Sequence, residues 1–80
     1  MKIAPTKIKD VLVIEPDIFE DTRGWFFESY NQKKLAAVGI NSNFIQDNRS
    51  FSKMKGTLRG LHLQNSPFSQ SKLVSCTRGA

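Results

Sequence analysis

Eighty residues, 39% hydrophobic and 24% charged, describe one small soluble domain or part of one, and exclude two full domains, a disordered polyelectrolyte and a low-complexity chain. A single cysteine, Cys76, beside a single histidine excludes an intrachain disulfide and a clustered zinc site, and fits a reducing, cytoplasmic setting. The formal net charge of +5 is unevenly placed: residues 1–48 hold six bases against seven acids, a net of −1, whereas residues 49–80 hold six bases and no acid, a net of +6.

Lys2, Lys7 and Lys9 interrupt the N-terminal apolar residues, and the longest aliphatic run is Val11 to Ile14, which excludes a signal peptide and a membrane span. The β-branched segment Ile8 to Ile14 predicts a strand that Pro16 stops. The turn Thr22-Arg23-Gly24 leads into Trp25 to Tyr30, an aromatic run that again predicts a strand. Asn31 has the chemistry of an N-cap, Gln32 to Val38 of a two-turn helix, and Gly39 of its C′ residue.

Phe44 to Phe51 predicts a strand that turns polar, with Gln46 and Asn48 on one face and Ile45 and Asp47 on the other. Ser52 to Gly56 reads as a turn and Thr57 to Gln64 as the returning strand of a hairpin. Asn65-Ser66-Pro67 is a further turn, and Lys72 to Thr77 the last strand. Five short strands with one short helix predict an all-β fold, a sandwich or barrel of jelly-roll type. Five strands cannot close such a fold, so this reading leaves unpaired sheet edges and a marginal core.

The acid-free half calls for an anion, either a phosphate-bearing ligand or nucleic acid, unless it is simply a solvated basic face. His62 is the side chain suited to general-base work near neutrality, although lone histidines are commonly structural. Arg59 stands three residues before it, on the opposite face of a regular strand, unless Gly60 introduces a bulge that re-aims one of the two. Lys72 offers a compact charge to a developing oxyanion, or discourages aggregation at a strand edge. Arg23 and Arg59 carry the planar donor fork that suits phosphate, or form surface pairs with Asp21 or Glu28. Trp25 and Phe26 are candidates for stacking on a base or for the core.

The ordered strings DTRGWFFESYN, FIQDNRS, GTLRGLHLQ and SQSKLVSC resemble the N-terminal half of the dTDP-4-dehydrorhamnose 3,5-epimerase family, also called dTDP-4-keto-6-deoxyglucose 3,5-epimerases. The resemblance covers nearly the whole chain and implies a single partial domain over residues 1–80. It implies a metal-free, cofactor-free cupin-type jelly roll that forms a homodimer by strand exchange and acts on dTDP-4-keto-6-deoxyglucose, with neither nucleic acid nor membrane as partner. Carried over residue by residue, the proton acceptor falls on His62 and the sugar-side lysine on Lys72. The nucleotide-binding residues fall on Arg23, Phe26, Glu28, Gln46, Asp47, Asn48 and Arg59. Arg49, Leu63 and Ser71 depart from the residues usual at those places, none of them a principal functional group. The orienting aspartate and the tyrosine acid of the family lie beyond position 80, so the 80 residues alone are expected to be poorly folded and inactive. A single-centre epimerase or ketoisomerase of dTDP-4-keto sugars is the alternative within the fold. A basic β-module for nucleic acid is the alternative outside it, although Phe51 and Phe68 are not spaced as a stacking platform.

Overall fold

The structure, a computed structural model, describes residues 1–67 and 69–80. Phe68, weighed above as a stacking residue, therefore lies outside the described residues. Regular structure among the described residues comprises four strands, β1 (Lys2–Pro5), β2 (Leu12–Glu15), β3 (Ile18–Asp21) and β4 (Gly24–Phe27), and one helix, α1 (Gln32–Ala37). The chain separates into two compact units, residues 1–41 and 42–80.

All these elements lie in the first unit. β1 and β2 pair antiparallel, with Lys2 opposite Glu15, Ile3 opposite Ile14, Ala4 opposite Val13 and Pro5 opposite Leu12. Thr6 shapes the connection: its hydroxyl lies 2.9 Å from the Ile8 carbonyl and 2.7 Å from that of Val11, and accepts from the Ile8 N–H at 3.2 Å. This loop corrects the expectation of a continuous strand from Ile8. Residues 8–11 are spent on the turn, and pairing begins at Leu12. Pro5 ends β1, where its missing N–H costs no ladder bond in the interior of a strand.

β3 and β4 form a second antiparallel pair, with Ile18 opposite Phe27, Phe19 opposite Phe26, Glu20 opposite Trp25 and Asp21 opposite Gly24. Thr22 and Arg23 make the two-residue turn, and Gly24 follows at φ +136°, a backbone conformation that side-chain-bearing residues rarely adopt. The expected strand from Trp25 to Tyr30 is thus four residues long and ends at Phe27. β1 and β3 are additions to the sequence reading.

The helix forms where the sequence predicts but ends one residue earlier, at Ala37, with Val38 as its C-cap. Asn31 is its N-cap, its side-chain oxygen accepting from the Lys34 N–H at 3.0 Å. At the other end the Gly39 N–H donates to Ala36 at 3.1 Å and the Ile40 N–H to Leu35 at 2.9 Å, with Gly39 at φ +89°. These two bonds and the left-handed glycine make a Schellman motif, which brings its third-from-last helical residue, Leu35, together with Ile40. Leu35, 4% exposed, is the one buried hydrophobic residue among those described, and Ile40 is half-buried. Burying one leucine contributes about 1.5–3 kcal/mol, so hydrogen-bonded ladders and caps carry the rest of the unit.

In residues 42–80 the three expected strands, 44–51, 57–64 and 72–77, do not form among the described residues. A strand exists through its ladder, and an isolated hairpin in water is marginal. The turns that separated those strands are nonetheless present. The Thr57 N–H and hydroxyl both donate to the Met54 carbonyl, at 3.3 and 2.7 Å, and Gly56 sits at φ +80°. Ser66 and Pro67 turn as expected.

Candidate functional site

Arg23 owes its position to the tip of the β3–β4 hairpin. Asp21, the last residue of β3, accepts the Arg23 backbone N–H at 2.8 Å through Oδ1, an Asx-type turn. Its Oδ2 accepts from Arg23 Nε at 3.1 Å and Nη2 at 2.6 Å. The guanidinium beside Asp21 holds its carboxyl below the ordinary carboxylate value, and the carboxylate in turn raises Arg23. Alternation along β4 puts Phe26 on the same face as its partner Phe19, and Trp25 with Phe27 on the other. Trp25 and Phe27 stack with ring centroids 5.4 Å apart. Phe19, Asp21, Arg23, Gly24, Trp25 and Phe26 line one shallow groove, so Arg23 and Phe26 are brought together with an aromatic wall and a cation.

Glu28, one residue past β4, pairs with Lys34 of α1 at 3.1 Å. Lys34 and, secondarily, a hydrogen bond from Asn31 keep the Glu28 carboxyl below its ordinary value. Asn31 therefore serves two elements, capping α1 with its oxygen and steadying Glu28. Phe26 is 71% exposed and Trp25 68% exposed, so this end of the hairpin presents apolar ring surface outward.

In the second unit Gln46 Nε2 donates to Asn48 Oδ1 at 3.2 Å, although the strand that was expected to put these two residues on one face does not form; Asp47 is exposed between them. Gln46 lines a second groove with Ser42, Phe44, Gln70 and Ser71, and the Ser42 hydroxyl donates to that of Ser71 at 3.0 Å. Lys72 follows directly after Ser71 and is exposed. Arg59 reaches back across the 52–57 turn, donating from Nε to Ser52 Oγ and from Nη2 to the Phe51 carbonyl, each at 2.9 Å.

Gly60, expected to bend a strand, stands at φ +106°, and a Cβ there would lie 3.6 Å from the His62 backbone nitrogen and 3.7 Å from its Nδ1. The imidazole thus folds back towards position 60, and the strand-face rule that separated it from Arg59 does not apply. Among the described residues Arg59, His62 and Lys72 make no hydrogen bond or ion pair with one another. Likewise no group of three or more His, Cys, Asp or Glu side chains is placed to hold a metal ion, and no helix is long and apolar enough to cross a membrane.

Sequence reasoning named Asp21 as a possible partner of Arg23 but missed Asn31 and Lys34 beside Glu28, and Ser52 beside Arg59. The Thr57-to-Met54 turn, visible in the sequence as a turn, is the signal that brings residues 51–52 back to residue 59.

The family model described as dTDP-4-dehydrorhamnose 3,5-epimerase matches residues 5–80. The chain belongs to that family. It is 52% identical over 80 residues to the dTDP-4-dehydrorhamnose 3,5-epimerase of Shigella flexneri, covering 99% of this chain and 44% of the relative. It is 48% identical over 81 residues to that of Escherichia coli K12, covering all of this chain and 43% of the relative. Against that of Pseudomonas aeruginosa the identity is 49%, over 99% of this chain and 43% of the relative. No solved structure matches the chain. This member of the epimerase family thus spans less than half the length of the curated relatives it matches.

Proposed function

We propose that the chain is the N-terminal part of the catalytic domain of a dTDP-4-dehydrorhamnose 3,5-epimerase acting on dTDP-4-keto-6-deoxyglucose. The identity of about 50% to named epimerases over the whole chain carries this reading. Residues 1–80 form a single partial domain of a cupin-type jelly roll that dimerises by strand pairing. The ring surface left outward at Trp25 and Phe26 supports a covering contact in the assembled enzyme.

Inversion next to a 4-keto group proceeds by removing the α-proton, acidic because the resulting charge moves onto the keto oxygen. His62 takes that proton, a role worth about 10²–10⁴ in rate. The Lys72 ammonium faces the enolate oxygen and stabilises the charge as it develops. Return of a proton on the opposite face completes the inversion. Arg23 and Arg59 hold the diphosphate. Phe26 lies against the thymine ring, and Glu28, Gln46, Asp47 and Asn48 supply the polar contacts to the rest of the nucleotide. The acid-free charge of residues 49–80 matches an anionic substrate.

The test joins residues 1–80 to the remaining, unmatched C-terminal part of the Shigella flexneri relative and follows solvent deuterium into dTDP-4-keto-6-deoxyglucose by NMR. The chimaera is expected to exchange at C3 and C5, and His62→Asn to slow both by about 10²–10⁴-fold. Absence of exchange in the chimaera, or undiminished exchange in the variant, refutes the reading.

A further inference from the structure

An arginine guanidinium has two donor edges, Nε with one Nη on the side and the two Nη groups at the end, and either can grip an anion. At Arg59 the side edge is already engaged, Nε by Ser52 Oγ and Nη2 by the Phe51 carbonyl, both at 2.9 Å. The end edge is left open among the described residues, and Arg59 is exposed. Arg23 is arranged in the same way, its Nε and Nη2 taken by Asp21 Oδ2. The two sites differ in charge: Asp21 compensates Arg23, whereas both partners of Arg59 are neutral and residues 49–80 contain no acid.

We infer that Ser52 is a positioning residue for Arg59, fixing the guanidinium so that its end edge, at full charge, meets the diphosphate of the substrate. The inference rests on the proposed epimerase function and names the group that prepares one of its binding residues. A free arginine loses rotamer freedom when it binds. One anchored at two points on a closed turn has lost much of it beforehand. The neutral hydroxyl is what makes this useful: it orders the side chain without competing for its charge. Ser52 touches no reacting atom in this role and acts through Arg59 alone.

The experiment uses the chimaera described above, with dTDP as the probe, affinity read by calorimetry and stability by thermal melting. Ser52→Ala is expected to weaken dTDP about 3- to 10-fold, the scale of one ordinary intramolecular hydrogen bond. Ser52→Thr, which keeps the hydroxyl, restores the affinity, and Arg59→Ala weakens dTDP more than Ser52→Ala does. In the same samples the Arg59 Nε–H resonance shifts on Ser52→Ala and returns with Ser52→Thr, a signature that general loosening of the turn does not reproduce. If Arg59→Ala weakens dTDP but Ser52→Ala leaves it unchanged, the role of Ser52 is overturned. The epimerase function, tested separately by exchange and His62→Asn, then stands. If Arg59→Ala has no effect on dTDP, or dTDP does not bind, Arg59 is not the contact and the inference falls with it.

Discussion

Replacing Gly39 with alanine isolates the contribution of a single backbone conformation. Gly39 is the C′ residue of α1 at φ +89°, and a Cβ built there meets nothing within 4 Å. Steric overlap with neighbours therefore drops out, leaving the dihedral cost of about 1–2 kcal/mol for an L-residue in the left-handed region. Against it stands a gain of about 0.4–1 kcal/mol, because alanine restricts the unfolded chain. The net is a loss of about 1 kcal/mol, or about fivefold in the local opening equilibrium. Amide hydrogen exchange reads this directly at Gly39 and Ile40, whose N–H groups close the motif onto Ala36 and Leu35. Gly39→Asn is expected to cost less, since asparagine tolerates that region. Opening of α1 also releases Lys34 from Glu28, so the Glu28 carboxyl should move back up towards its ordinary value of 4.5 in the alanine variant. Unchanged or slower exchange at position 39 and Ile40 after Gly39→Ala would refute the reasoning.

Acidification tests the ion pairs of the first unit. Asp21 and Glu28 titrate below their ordinary values of 3.8 and 4.5 because of Arg23 and Lys34 respectively, so the unfolded chain takes up protons first as pH falls. Their stabilisation is present above those ordinary values and is lost as pH falls through the lowered folded ones; a melting temperature that is flat or rising across that window contradicts the pairing. Trp25 supplies an optical test of the covering contact. In the 80-residue chain, with Trp25 68% exposed, indole emission should be red and readily quenched by acrylamide, and in the chimaera it should shift to the blue. Identical emission from the two proteins would mean that nothing covers the hairpin.

What was legible in the sequence was what is local. Asn31 and Gly39 mark the helix because capping is decided within four or five residues of the chain, and the Thr22-Arg23-Gly24 turn was readable for the same reason. β1 and β3 were missed because KIAP and IFED are short, charged or proline-bearing strings that become strands through the partners opposite them. The converse holds for residues 44–51, 57–64 and 72–77, which carry strand-like composition without a ladder among the described residues. The Gln46–Asn48 hydrogen bond forms without the strand that the sequence reading supposed there. At the site, the partners that hold Glu28 and Arg59 were not legible, because Lys34 and Ser52 arrive there by the course of the backbone rather than by any fixed spacing.

The side edge of Arg59, taken up by the 52–57 turn, sets a limit on what can replace it. A lysine carries the same formal charge at the end of a flexible stem, with its three donors on one atom. Such a group could bond back to Ser52 or reach outward to an anion, and each choice would forgo the other. Conservation of charge at this position is therefore a poor guide to conservation of role. A basic stretch that is interchangeable by electrostatic count becomes, residue by residue, a set of positions with distinct tolerances, and at position 59 shape outweighs sign.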